Sequence, residues 1–151
     1  MPGLDDSVEL ELPARPEYLA VVRSVVTEVA EAASSLPAAR IDDLRLAVTE
    51  ACANAIDATR RSSGSHINLR CELDGAGVVV EVHDAAGGFD PDALVPHPPV
   101  TKPDRLKFER GLGVPLMRAL ADEVTFRQER GGTTVRLVVG VGSRPRERGT
   151  L

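Results

Sequence analysis

No stretch of this 151-residue chain approaches the roughly 20 consecutive apolar residues that a membrane-spanning helix requires, so no helical span is expected. The opening "MPGLDDSVEL" is acidic and lacks the basic start and apolar run of a secretory signal, which points to a cytoplasmic protein. Cysteine is scarce. Cys52 and Cys71 fit no zinc-ligand spacing, and a chain of this length folds without a disulfide, so both are expected as buried free thiols in a reducing compartment. A basic stripe is missing as well. A net charge of -5, with no predicted element carrying a run of lysine and arginine, argues against direct binding of nucleic acid by phosphate neutralisation, and no membrane contact is expected.

What is present is a globular balance, 42% hydrophobic and 27% charged residues, enough for one compact domain with a real core. "SVELELPA" alternates Val8, Leu10 and Leu12 with acids, the period of a half-buried strand that Pro13 ends. From Pro16 the spacing becomes helical, with Leu19, Val22, Val26, Val29 and Ala33 on one face for about five turns. Pro37 breaks that run. A second helix with Ile41, Leu44, Val48, Ala51, Ala55 and Ala58 on its apolar face extends to about Arg61. Strands over 67–73 and 78–82 follow, joined by "DGAG" as an antiparallel hairpin. Residues 91–109 hold five prolines and little periodicity, a loop or lid. A short helix over 112–120, entered through "RGLG", and strands near 123–128 and 133–139 complete the order. Antiparallel strand pairs with helices grouped on one face make a two-layer α/β sandwich of the α+β class.

Four local features carry candidate chemistry, and each has an ordinary structural explanation when taken singly. Asp43, Glu50, Asn54, Asp57 and Arg61 share one stripe of the second helix, which a merely solvated face also explains. "HDAAGGFDP" places Asp84 at a strand end before paired glycines, where a carboxylate accepts hydrogen bonds from an exocyclic amine. In "ERGLGVPLMRAL", Gly111 and Gly113 open a helix whose free N–H groups suit an anion. "GGTTVRL" starts a last strand with Thr133, which alone means little.

Taken in order, an acid and an asparagine one helical turn apart, an aspartate followed by glycine, "GLG" and "GT" resemble the GHKL ATPases of the Bergerat fold. "LPARPEYLAVVR" and "RGLGVPLMRALADEV" are similar to the small anti-sigma factor serine kinases of the RsbW and SpoIIAB type. The resemblance spans residues 8–139 and leaves no room for a dimerisation domain with a phosphoacceptor histidine. It implies a histidine-kinase-like ATPase domain over 8–139 with an ATP lid at 91–110, flanked by tails 1–7 and 140–151, and a mixed, mainly antiparallel sheet. It implies ATP and Mg²⁺ as ligands: Asn54 at the metal, Glu50 as general base, and Asp84 at the adenine amino group. Gly88 would line the base pocket, and Thr133 would act through water. Arg110, Gly111, Leu112 and Gly113 would form the phosphate-contacting hinge of the lid.

The implied activity is that of an ATP-dependent serine kinase and anti-sigma factor. It would sequester a sigma factor, phosphorylate a small anti-sigma factor antagonist on Ser or Thr, and form a homodimer. Three positions depart from the pattern. Ala86 stands for a glycine, with Gly87 beside it; Asp57 stands where histidine is frequent; and Arg110 lies one place from the position of a lid arginine. These departures keep open a nucleotide-gated binding module with little or no kinase activity. The catalytic half of a split histidine kinase is a third reading. The tail carries Arg144, Arg146 and Arg148, read as a frayed solubilising end.

Overall fold

The computed structural model describes residues 7–33, 35–75, 77–85, 113–129 and 131–140. The predicted lid at 91–110 and all but the first residue of the predicted tail at 140–151 lie outside them, as do Gly88, Arg110, Gly111 and Leu112. In chain order the elements are β1 (Ser7–Pro13), a 3₁₀ turn (Pro16–Tyr18), α1 (Leu19–Ala33), α2 (Ala38–Arg61), β2 (His66–Asp74), β3 (Gly77–Asp84), α3 (Gly113–Leu120), β4 (Glu123–Glu129) and β5 (Gly132–Val139).

The expected helix from Pro16 is split. Pro16 lacks an N–H, Arg15 before it is extended, and Tyr18 donates to the Arg15 carbonyl at 3.0 Å, so the first turn is 3₁₀ and the α-helix begins at Leu19. Within α1, Val22, Val26 and Ala30 are fully buried four residues apart. Pro37 starts α2 cleanly, its carbonyl accepting from Arg40 N and Ile41 N at 2.9 and 3.0 Å.

Among the described residues five strands form one sheet in the order β1-β2-β3-β5-β4, antiparallel at all four pairings, without the parallel pair a mixed sheet would add. The two-residue side-chain period sorts the sheet into two faces. Leu10, Leu69, Val82, Val135 and Phe126 lie side by side in one inner row. The neighbouring outer row reads Glu9, Arg70, Glu81, Arg136 and Thr125. The inner face is closed by α2, which lies across β2, β3 and β5 with α1 and α3 at its flanks. Leu44, Val48, Ile67, Leu69, Val80, Val82 and Leu137 fill the space between, each at most 1% exposed. Burying such a side chain contributes about 1.5–3 kcal/mol, which is why the alternating valines of β3 fix its register. Cys52 and Cys71 are both free and buried in this core. Desolvation pushes both thiols up, Cys71 to about 11 and Cys52 further still, with the neighbouring Cys71 charge adding to the latter, so neither is a reactive nucleophile.

One buried cation ties the layers together. Arg40, whose side chain is 10% exposed, donates to Asp43 Oδ2 at 2.8 Å, to Asp122 Oδ1 at 2.9 Å and to the carbonyl of Leu120 at 3.0 Å. It thereby joins the start of α2 to the end of α3, and Asp122 in turn accepts from the backbone N–H of Gly140 at 2.6 Å. Arg40→Met removes the guanidinium from two carboxylates and a helix-end carbonyl, of which Asp122 keeps its bond from the Gly140 N–H. The expected loss is about 2–4 kcal/mol, read as a fall of roughly 6–12 °C in thermal midpoint. Arg40→Lys recovers only part of it, because an ammonium lacks the planar fork that reaches three acceptors. A midpoint unchanged in Arg40→Met would show the network to be energetically idle.

Candidate functional site

The polar stripe of α2 is not one solvated face; it divides into three parts. Asp43 is held by Arg40, and Asp57 pairs with Arg61 one turn on at 2.9 Å. Between them, the side chains of Glu50 and Asn54 are half-buried and make no hydrogen bond or ion pair among the described residues. They face the start of α3 instead. A Cβ placed on Gly113 would lie 3.2 Å from Glu50 Oε2 and 3.3 Å from Asn54 Nδ2, so the absent side chain is what lets the first turn of α3 come this close. The positive end of α3 thus stands beside a carboxylate and an amide with free hydrogen-bonding capacity.

The second group sits on the sheet. Asp84 ends β3 and Thr133 lies directly opposite it on β5, in the same inner row as the buried Leu12 and Ile67. The alternation of Val78, Val80 and Val82 would place another apolar residue here; the sequence places an acid that is 4% exposed. Thr133, 1% exposed, has a hydroxyl with no hydrogen-bond partner. Leaving such a group unpaired costs about 1–3 kcal/mol, a cost that a bound polar group or water removes. Beside it is a cavity of about 10 Å³ lined by Ala51, Asn54, Ala55, Asp84, Phe126, Thr133 and Val135, room for about one water.

Asn54 belongs to both groups, so the Glu50–Asn54–Gly113 cluster and the Asp84–Thr133 pocket are two ends of one site. Glycine also shapes the second end. Gly132 has φ +155°, and a Cβ on it would run into the main-chain carbonyl of Asp84 and lie 2.9 Å from His83 Cε1. On the outer face, His83 Nδ1 and Thr134 Oγ1 are 2.9 Å apart and tie β3 to β5 behind the pocket. A larger hollow of about 390 Å³ lies on that outer face among Glu9, Glu11, Arg70, Glu81 and His83, and none of the converging residues lines it.

Of the residues singled out in the sequence, Glu50, Asn54, Gly113, Asp84 and Thr133 are thus brought together. Ala51, Ala55, Val135 and Phe126 were missed. The two alanines flank Glu50 and Asn54 on the helix, and Phe126 alternates with Val124 on the inward face of β4. Each reads as ordinary core until the layers are packed. Among the described residues no group of three or more His, Cys, Asp or Glu side chains could hold a metal by itself, and no helix is long and apolar enough to cross a membrane.

The profile of the histidine kinase-like ATPase domain matches residues 12–139. The chain is 34% identical over 133 residues to the serine-protein kinase RsbW of Bacillus subtilis (strain 168), covering 85% of this chain and 82% of that protein. It is 32% identical over 139 residues to the serine-protein kinase RsbW of Staphylococcus epidermidis, covering 88% and 86%. Among solved structures it is similar to the RsbU and RsbW domains of Rv1364c from Mycobacterium tuberculosis, with a TM-score of 0.64 at 23% identity over 92% of this chain. This chain spans 33% of that larger one. The histidine kinase domain of the blue-light activated histidine kinase EL346 from Erythrobacter litoralis gives a TM-score of 0.53 at 19% identity, covering 86% of this chain and 62% of that one. These two likenesses show the fold. The domain profile and the RsbW relatives, 32 and 34% identical along more than four fifths of both partners, show that the chain belongs to the histidine kinase-like ATPase family, in the branch of the RsbW serine-protein kinases.

Proposed function

We propose that this chain is an ATP-dependent protein serine kinase and anti-sigma factor. It sequesters a sigma factor and phosphorylates a small antagonist protein on serine or threonine, acting in the cytoplasm as a homodimer. The observation that carries the reading is the meeting of Glu50, Asn54 and Gly113 at one end of a site whose other end is the buried Asp84–Thr133 pair.

Asp84 accepts a hydrogen bond from the exocyclic amine of the adenine ring, and the Thr133 hydroxyl would pair with a water held in the adjoining cavity. Asn54, shared by both ends, would hold Mg²⁺ through its amide oxygen. A Mg²⁺ site of this kind needs only one or two protein ligands because the triphosphate supplies others. When bound, Mg²⁺ neutralises charge on the phosphates. Glu50 takes the proton from the attacking hydroxyl as the serine oxygen bonds to the γ-phosphorus and the bond to ADP breaks. The backbone at the start of α3, open because residue 113 is glycine, would face the phosphates, and the family resemblance would give Arg110, Gly111 and Leu112 phosphate contacts and Gly88 a contact to the base. In this reading the ATPase domain would run over residues 8–139, with residues 91–110 as its lid. Partner switching then follows from mass action: unphosphorylated antagonist competes for the kinase and frees the sigma factor.

Calorimetric titration of ADP and ATP with Mg²⁺ into wild type and Asp84→Ala tests the pocket. Asp84→Ala removes a charged acceptor, and the expected loss of affinity is about 10–100-fold. Equal affinity in both proteins would remove Asp84 from the site. Nucleotide binding by wild type without transfer to any antagonist would leave the binding-module reading in its place.

A further inference from the structure

Phe126 has no part in the reading above, yet it lines the cavity with Asn54, Asp84 and Thr133 and is the one aromatic side chain among the described lining residues. The sequence holds three phenylalanines, one tyrosine and no tryptophan, so a ring at this position is a scarce resource spent on the site. Ala51 and Ala55 of α2 and Val135 of β5 line the same cavity, so its remaining apolar lining is small side chains. A lining that combines small apolar side chains, one aromatic ring and a buried carboxylate has the chemistry for a planar heteroaromatic ring carrying an amino group.

The ring is also braced. Arg118 of α3 holds its guanidinium carbon 5.8 Å from the Phe126 centroid, within cation–π range. The same short helix begins at Gly113, against Glu50 and Asn54. One rigid element therefore touches the phosphate end through its first residue and the base end through Arg118. The cavity of about 10 Å³ admits a water but not a purine, so one wall must yield. Among the described residues β3 and β5 are paired on both sides and α2 is held by the core, whereas β4 is an edge strand with one neighbour and Phe126 on it is half-buried.

We infer that Phe126, braced by Arg118, is the yielding aromatic wall on which the nucleotide base stacks, and is a determinant of affinity for the base. The inference rests on the nucleotide-site reading and goes beyond it by assigning a residue and its positioning partner. It predicts that Phe126→Ala binds ADP about tenfold more weakly or worse, the usual scale for losing one base–aromatic stack, with an unchanged circular dichroism spectrum. Phe126→Tyr stays within about twofold of wild type because the π face is kept. Arg118→Met weakens ADP by about two- to fivefold, and Arg118→Lys restores most of it.

Because the chain has no tryptophan, Phe126→Trp places a single indole in the cavity lining, and ADP is expected to quench its emission. Calorimetry on the same samples separates the two ideas. If wild type binds no ADP, the nucleotide reading and this inference fall together. If wild type binds ADP while Phe126→Ala binds equally well, or the indole emission does not respond to bound ADP, the inference alone is overturned.

Discussion

Glu50→Gln is expected to slow phosphoryl transfer about 1000-fold while leaving the affinity for ADP within about twofold of wild type, the range set by losing a general base but no binding contact. Glutamine has nearly the same shape as glutamate, so packing against Gly113 is preserved; a Cβ there would already come within 3.2 Å of Glu50 Oε2. What changes is the ability to accept a proton. Single-turnover transfer of the γ-phosphoryl group from ATP to purified antagonist, alongside calorimetry with ADP, separates chemistry from binding. Asn54→Ala gives the complementary signature: transfer falls as well, but now with weaker binding of Mg²⁺–ATP than of metal-free ADP. Transfer by Glu50→Gln at the wild-type rate would take the general-base role away from this residue. Loss of ADP binding in step with transfer would mean that the carboxylate holds the nucleotide instead.

The sequence was most informative where one period governs. Alternation fixed β1, β2, β3 and β5 to within a few residues, and Pro37 marked the start of α2. Spacing along a single helix also put Glu50 beside Asn54. It could not show that Asp57 is held by Arg61, or that Asp43 is held by a buried arginine, since those pairings depend on which rotamers the packed layers leave open. Nor could it place Asp84 across from Thr133, far apart in the chain and joined only by the β3–β5 register. That register follows from packing the valine face of β3 on α2, a tertiary event. Phe126 was missed for the same reason: an aromatic on an alternating strand reads as core, and only the cavity beside Asp84 gives it a second role.

The pairing of Asp84 with Thr133 depends on a main-chain contact that one methyl group would destroy. Gly132→Ala is expected to cost at least about 3 kcal/mol, roughly 6–12 °C in thermal midpoint, on the scale of overpacking combined with backbone strain. Two effects add. At φ +155° an L-residue is strained, and its Cβ would be driven into the carbonyl of Asp84, a backbone atom that cannot swing aside as a side chain does. Gly131→Ala is the control. Gly131 also has a positive φ, +91°, but a Cβ there meets nothing within 4 Å, so the expected cost is only the backbone strain, about 1–2 kcal/mol. The two neighbours therefore separate conformational strain from steric exclusion at the nucleotide end of the sheet. Relief of the clash requires β5 to move away from β3 at Asp84, so Gly132→Ala that remains folded is expected to lose ADP affinity, while Gly131→Ala keeps it. Equal midpoints for the two variants would mean that the close approach at Gly132 contributes nothing, and that the positions of Asp84 and Thr133 are set by the rest of the sheet.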